Sequence, residues 1–274
     1  MSTTTEIETR WVETARGARC RVLCWGPEDG VPVVFLHAAV GLLPDHRFVE
    51  ALGVLGHRVC APELPGYGES TGETTIEDML DFTLLGWDLV DGLEIASPHL
   101  VGHGLGGMVA AEMAAVCPER PASLTLVSPS GLWLDAHPIP DLFAMLPFEF
   151  APLLFHDTMA GAALLTGGLD FSDLEAVTEF FIGNARRLGT AGKVLFPIPN
   201  RRLSKRIHRV RTPVALVWGA EDRLHPLVYA EAWRAALSER IEATLHVIEG
   251  AGHMVPYELP DDVAAAVAAL VEGV

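Results

Sequence analysis

Cysteine is scarce in this 274-residue sequence, which contains only four. They are spread through apolar segments, at Cys20, Cys24, Cys60 and Cys117. This spacing excludes a dense disulfide framework and predicts buried free thiols. Cys20 and Cys24 lie four residues apart in a predicted strand, as do His99 and His103, and an extended chain separates such pairs by roughly 13 Å. These residues therefore predict no metal site.

Basic residues are also few, with 19 Lys and Arg against 36 Asp and Glu and a formal charge of -17. This balance disfavours binding to nucleic acid or to anionic membranes. No apolar run approaches the length of a membrane span, and the first residues, 1–8, lack the basic and apolar regions of a signal peptide. We expect a soluble, cytoplasmic protein that acts on a small molecule, and the oligomeric state stays open.

The pattern of apolar runs predicts one large α/β domain with an insertion. Two antiparallel strands come first, and the continuous apolar runs after them are typical of a parallel sheet covered on both faces. The predicted strands are 7–14, Arg19–Trp25, 32–36, 58–61, 99–101, Ser123–Val127, 214–218 and Thr244–Ile248. The predicted helices of the core are 47–55, 76–93, one after residue 104, and 260–271.

The stretch 100–117 reads as strand, sharp turn and helix, and its turn is Gly102-His103-Gly104-Leu105-Gly106. This is the G-x-S-x-G nucleophile elbow with glycine at the nucleophile position. The elbow is a strained turn, and glycine tolerates its backbone angles without a Cβ penalty. The tip of the turn therefore carries no attacking oxygen.

Two literal motif matches point elsewhere. Residues Gly102, Gly104 and Gly107 satisfy the dinucleotide fingerprint, but the following strand, Ser123–Val127, ends without the acidic residue that binds a ribose. We therefore predict no dinucleotide. The segment 68–72 is a true G-x-S-x-G string, but it lies in a polar loop with no strand feeding it. Its serine, Ser70, is predicted to be a solvated loop residue.

Strand patterns disappear between residues 133 and 211. Pro, Phe, Met and Leu crowd together over 138–155, and an amphipathic stretch follows at 173–188. We interpret 133–211 as a helical lid inserted into a core made of 1–132 and 212–274, because so many apolar residues need something to cover. The basic cluster at 201–211 is interpreted as a solvated helix face.

Several segments together resemble the α/β-hydrolase superfamily over nearly the whole chain. They are the apolar strand ending in His37, the segment 62–70, the elbow, and the segments 128–132, 218–222 and 249–253. Their order is the order of that fold. The pattern is similar to the esterase, cofactor-free haloperoxidase and C–C bond hydrolase branches, and the absence of tyrosine from 133–211 disfavours epoxide hydrolases.

The resemblance implies a role for each matching position. Gly104 takes the nucleophile position, Asp222 is the acid and His253 is the base of a triad. The oxyanion hole is formed by the backbone N–H groups of Ala39 and Leu105. The superfamily usually has glycine where Ala38 stands and aspartate where Glu63 stands. The resemblance implies no cofactor and no metal.

Four hypotheses about function follow. The chain is a natural enzyme that uses His253 and Asp222 as a general base without a covalent nucleophile, or a serine hydrolase inactivated at Gly104. It is otherwise a water-using hydrolase, or a binder that has kept the pocket. The intact acid and base favour the first two, and we prefer the first.

The lid predicts an apolar cavity for an uncharged or aromatic small molecule, lined by Trp133, Phe143, Met145, Phe148, Phe150 and Phe155.

Overall fold

A computed structural model describes residues 7–199, 201–237, 241 and 243–274. Its sheet has eight strands in the order β1-β2-β4-β3-β5-β6-β7-β8. β1 and β2, and β2 and β4, pair antiparallel, and all other neighbours pair parallel. The strands are β1 Glu8–Glu13, β2 Arg19–Trp25, β3 Val31–Leu36, β4 His57–Pro62, β5 His99–His103, β6 Ser123–Val127, β7 Val214–Gly219 and β8 Thr244–Ile248. This confirms the predicted sheet, with strand ends shifted by one or two residues.

Helices cover both faces of the sheet. The α-helices are α1 Arg47–Val54, α2 Met79–Gly92, α3 Leu105–Val116, α4 Phe150–Leu154, α5 Thr158–Thr166, α6 Leu174–Leu195, α7 Val228–Ala236, α8 Val255–Glu258 and α9 Pro260–Glu272. α2 begins three residues later than predicted because the Asp78 side chain accepts hydrogen bonds from the N–H groups of Leu80 and Asp81 and so caps the helix.

The central strands are buried on both faces, which explains their continuous apolar sequence. Every residue of β5, β6 and β7 is buried. One core cluster packs α2 and α3 against the sheet through residues such as Phe82 and Met113. A second cluster packs α1 and α9 against the other face through Phe48 and Val263. The carboxyl ends of β3, β5, β6 and β7 therefore meet at one edge of a rigid core.

The 133–211 segment lies between β6 and β7 and contains α4, α5, α6 and short 3₁₀ turns. α4 packs on the core through a third apolar cluster that includes Phe150, Leu154 and Tyr257. α6 is tied to the 70–76 loop, since Arg186 donates to both carboxylate oxygens of Glu73 at 2.7 and 3.0 Å. Its role as a lid stays a prediction.

Ser70 corrects one expectation. The prediction of a solvated loop residue is wrong, because Ser70 is fully buried. Its hydroxyl donates to the carbonyl of Glu63 at 2.8 Å and accepts from the N–H of Arg21 at 2.9 Å. Ser70 thus holds the end of β4 against β2. Its hydroxyl is committed to these two hydrogen bonds and is not placed to act as a nucleophile.

The four cysteines are free thiols, of which Cys20, Cys24 and Cys60 are buried and Cys117 is half-buried. In the basic cluster, Arg206 forms an ion pair with Glu112. Within the described residues no helix has the length and apolar character needed to cross a membrane.

Candidate active site

The elbow has the predicted strand, turn and helix geometry. β5 ends at His103, α3 begins at Leu105, and Gly104 between them has φ +52° and ψ −112°. L-residues rarely adopt such angles. A Cβ atom on Gly106 would lie 2.1 Å from the carbonyl oxygen of Leu36. The elbow therefore needs glycine at 104 for its backbone angles and at 106 for close packing of α3 on β3.

Asp222 and His253 form the acid and base pair that the resemblance implies. His253 Nδ1–H donates to Asp222 Oδ2 at 3.0 Å, and both side chains are buried. The other oxygen, Oδ1, accepts from the N–H groups of Leu224 at 2.9 Å and His225 at 2.8 Å. Burial alone would raise the pKa of Asp222, but His253 and these hydrogen bonds bring it below its ordinary value. The carboxylate is therefore held ionised behind the imidazole, whose Nε2 is left as an acceptor.

The other ring nitrogen of His253 faces the tip of the elbow. A Cβ atom built on Gly104 would lie 3.1 Å from His253 Nε2 and 3.2 Å from the Cβ atom of Ala38. Any small group that stands at the nucleophile position is thus within hydrogen-bond reach of the base. Ala38 and Gly104, two of the three positions that depart from the superfamily pattern, are therefore neighbours at the tip of the elbow.

The loop after β3 carries the predicted oxyanion hole, and His37 fixes its shape. His37 Nδ1–H donates to the carbonyl of Ala38 at 2.8 Å, and Nε2 accepts from the N–H of Leu64 at 3.1 Å. Burial lowers the pKa of His37 to about 4, so the ring is neutral. Ala39 lies beside Leu105, whose N–H opens α3 and has no acceptor inside that helix. The assignment of these two N–H groups to an oxyanion hole stays a prediction.

Two further histidines surround His253. His103 is fully buried and its Nε2–H donates to the carbonyl of His253 at 2.9 Å. His225 was not singled out from the sequence; its Nδ1–H donates to the carbonyl of Ser128 at 3.1 Å, and its ring centroid lies 5.0 Å from that of His253. Burial lowers the pKa to about 3 for His103 and about 4 for His225. In the sequence, the one indication that His225 belongs to the site is its position three residues after Asp222.

A small cavity of about 20 Å³ joins the elbow, the base and the oxyanion loop. It is lined by Ala38, Ala39, Val40, Leu105, Ser130, Leu142, Leu154, Leu195, Leu224, His253 and Met254. A second cavity of about 30 Å³ is lined by Ser130, Trp133, Ile139, Pro140, Asp141, Leu142, Phe143, Leu195, Pro197, Pro199, Leu224 and His225. Four residues line both, so the cavities adjoin. Each has room for a water molecule.

The predicted pocket residues separate into three groups. Trp133 and Phe143 line the second cavity. Phe150 and Phe155 are buried in the apolar cluster under α4, and Met145 packs against it. The structure does not bring Phe148 to either cavity, because its side chain is 74% exposed on the outer surface.

Asp222, His225 and His253 also offer one ligand atom each within 4.8 Å of one another. Both oxygens of Asp222 already accept hydrogen bonds from N–H donors, one of them from His253 itself. A metal ion would have to break the pairing of acid and base. The donor set fits a hydrogen-bonded catalytic pair better than a metal centre.

A strand–turn–helix elbow with an Asp–His pair at the carboxyl edge of a mostly parallel sheet is the arrangement of the α/β-hydrolase fold. The chain belongs to the Alpha/beta hydrolase family, whose profile matches residues 33–266.

Relatives include the dihydrolipoyllysine-residue acetyltransferase component of an acetoin cleaving system from Pseudomonas putida, 30% identical over 89% of this chain and 65% of that protein. The chain thus spans just under two thirds of that relative's length. A 2-hydroxy-6-oxo-6-phenylhexa-2,4-dienoate hydrolase from Burkholderia cepacia is 26% identical over 85% of each chain. A meta-cleavage product hydrolase from Pseudomonas fluorescens IP01 shares the fold, with a TM-score of 0.74, 19% identity and coverage of 96% of this chain and 97% of that one.

Proposed function

We propose that this chain hydrolyses an apolar or aromatic carbonyl compound by general-base catalysis, with no covalent nucleophile at position 104. One observation carries the proposal. The Nε2 atom of His253, with Asp222 bound behind it, faces the side-chain position of Gly104 at 3.1 Å. The cavity there suits a water molecule, which takes the place that a serine hydroxyl would occupy.

The proposed reaction balances in two steps. His253 Nε2 takes a proton from the water while the water oxygen bonds to the carbonyl carbon of the substrate. The carbonyl oxygen becomes an oxyanion and accepts hydrogen bonds from the N–H groups of Ala39 and Leu105. The intermediate then collapses to a carboxylic acid, the bond to the leaving carbon or oxygen breaks, and His253 returns the proton to the leaving group. Asp222 stabilises the imidazolium between the two steps.

The substrate class rests on the relatives and on the cavity. The Burkholderia cepacia relative is named for cleavage of a phenyl-substituted 6-oxo dienoate, which is an aromatic ketone. The second cavity presents the aromatic rings of Trp133 and Phe143 beside mainly aliphatic side chains. An aryl group next to the cleaved carbonyl fits this lining.

Hydrolysis of 2-hydroxy-6-oxo-6-phenylhexa-2,4-dienoate and of p-nitrophenyl acetate tests the proposal. We expect His253→Ala to lower kcat by about 10²- to 10⁴-fold, because it removes the general base. Asp222→Asn should reduce kcat as well, since it removes the charge that stabilises the imidazolium. Product formed in ¹⁸O-labelled water should carry one label. Activity that survives His253→Ala undiminished would refute the proposal.

The hydrogen-bonded pair of Asp222 and His253 also favours a second candidate, a serine hydrolase in which Gly104 stands in place of the nucleophile. Such a chain would bind substrate and turn over only when a hydroxyl is introduced at position 104. A chain that bound its ligand unchanged in His253→Ala and in a serine variant would instead be a non-catalytic binder.

A further inference from the structure

Ser130 is a buried residue whose hydroxyl makes no hydrogen bond to the described part of the chain. Its side chain is 5% exposed, and its Oγ atom makes no hydrogen bond to any residue that the structure describes. Ser130 lines both cavities, and it is the only hydroxyl-bearing residue among the described residues that line them. Because Ser130 borders both cavities and its hydroxyl has no partner among the described residues, the hydroxyl is available to a molecule in the cavity.

The loop that carries Ser130 is held from several sides. Its own N–H donates to the carbonyl of Gly104 at 2.9 Å, which places it directly beside the elbow tip. The carbonyls of Ser128 and Pro129 accept from His225 Nδ1 and Trp233 Nε1 at 3.1 and 3.2 Å. A hydroxyl on such a braced loop loses little freedom when it binds a ligand, which is the condition for a preorganised site.

The first cavity brings Ser130 and the base to one site. Its volume of about 20 Å³ is enough for a water molecule, and Ser130 and His253 both line it. His253 meets such a molecule as an acceptor, because Nδ1–H is committed to Asp222. Among the described residues that line this cavity, Ser130 carries the other polar side chain. A water molecule needs two to four polar partners, and these residues supply them.

We infer that Ser130 is a further catalytic residue, whose hydroxyl binds the attacking water and then donates a hydrogen bond to the tetrahedral intermediate. The inference rests on the proposed function. Ser130 keeps its proton, and no bond to Oγ forms or breaks. Its contribution is to orient the water toward the carbonyl carbon and to stabilise negative charge after attack.

Phenylboronic acid is the probe for this role. It adds water to give a tetrahedral trihydroxyboronate and a proton, which His253 can accept, and so imitates the intermediate of water attack. Calorimetry gives its Kd, and ¹¹B NMR distinguishes trigonal from tetrahedral boron. We expect tetrahedral binding by the unmodified chain, and about 10- to 100-fold weaker binding by Ser130→Ala, since one hydrogen bond to a charged group is lost.

Two variants serve as controls. Ser130→Cys keeps nearly the same size but is a poor hydrogen-bond donor, so it should bind as weakly as Ser130→Ala. Ser128→Ala removes a neighbouring buried hydroxyl that lines neither cavity, and its Kd should stay within twofold of the unmodified chain. Circular dichroism confirms that each variant is folded.

The outcomes separate the two proposals. Weakened binding in His253→Ala but not in Ser130→Ala overturns the role of Ser130 alone, whereas the reverse result refutes the general base. Wild-type affinity in Ser130→Cys would show that Ser130 matters only for its size. Absence of boronate binding by the unmodified chain, or covalent labelling of Ser130 by a fluorophosphonate, would also overturn the inference.

Discussion

The methyl group of Ala38 lies next to the side-chain position of Gly104. The missing side chain at 104 leaves a place that the methyl group of Ala38 approaches from one side and His253 Nε2 from the other. A serine at position 104 would therefore meet two neighbours at 3.1 and 3.2 Å, which is tighter than ordinary van der Waals contact. The backbone angles at 104 add a strain of about 1–3 kcal/mol for any residue with a Cβ atom.

Restoring a nucleophile should consequently need two changes. We expect Gly104→Ser to lower the free energy of unfolding by about 1–3 kcal/mol and to give p-nitrophenyl acetate turnover that rises at least tenfold further when Ala38→Gly is added. The hydroxyl then has room to bond to His253. Denaturant unfolding and burst-phase ester kinetics measure the two effects.

Ala38→Gly alone is the control and should create no acyl-enzyme. Equal burst amplitudes in the single serine variant and the double variant would show that Ala38 does not limit the site.

At the scale of single elements, α3 sits unusually close to β3. Gly106→Ala would force a Cβ atom to within 2.1 Å of the Leu36 carbonyl oxygen, so we expect a loss of about 3 kcal/mol or more in the free energy of unfolding. Gly183 in α6 is the matched control, because a Cβ atom there meets nothing within 4 Å. Gly183→Ala should stabilise the chain by about 0.5–1 kcal/mol through helix propensity. Urea unfolding of both variants checks the opposite signs.

Arg186 is one of the side chains that attach α6 to the core. Besides its two bonds to Glu73, this side chain donates to the carbonyl of Ser70 at 2.8 Å. We expect Arg186→Ala to cost about 1 kcal/mol and to loosen α6, because a half-buried bidentate pair holds more firmly than an exposed one. Chymotrypsin, which can cut after Phe180 or Phe181, should then cleave the folded chain faster.

Arg211 provides the comparison, since its ion pair with Glu119 is exposed, with side-chain exposures of 70% and 77%. Arg211→Ala should leave both Tm and cleavage unchanged. Equal cleavage rates in the Arg186 and Arg211 variants would contradict a fastening role for Arg186.

At the scale of the whole molecule, three buried neutral histidines make the fold sensitive to acid. Burial lowers the pKa to about 4 for His37 and His225 and to about 3 for His103, against about 6.5 in an unfolded chain. Between pH 6.5 and about 4 the unfolded chain therefore binds up to three protons that the folded chain does not. The free energy of unfolding therefore has its full value above pH 6.5. It falls as the pH decreases below 6.5, by up to about 4 kcal/mol per pH unit.

Guanidinium unfolding between pH 7.5 and 5 measures this slope. His37→Gln should reduce this slope by about 1.4 kcal/mol per pH unit, because one proton fewer is then taken up on unfolding. Replacing the exposed His208 by Gln should not change it. A slope that is the same with and without His37 would show that this ring does not stay neutral in the fold.

The sheet, the elbow turn and the chain order of the Asp222 and His253 motifs could all be predicted from the sequence. Buried parallel strands must be continuously apolar, so their runs are visible without a structure. The turn around Gly104 and the Asp222 and His253 positions follow from local motifs whose order belongs to one fold. The start of α2 was predicted less accurately. The helix begins at Met79, after the Asp78 cap, which is three residues past the predicted start.

Contacts between side chains that are distant in the sequence could not be predicted, because they depend on how the elements pack. Ser70 is buried because it bonds to Arg21, 49 residues away, and no local pattern shows such a partner. Ser130 and His225 enter the site because parallel strands bring their carboxyl ends to one edge, and Ala38 touches position 104 for the same reason. Phe148 and Phe155 have the same side chain seven residues apart, yet one faces out and one is buried. Helix packing in the 133–211 segment decides which of the two is buried. The hydrophobic effect favours the burial of apolar groups in general but does not select individual residues.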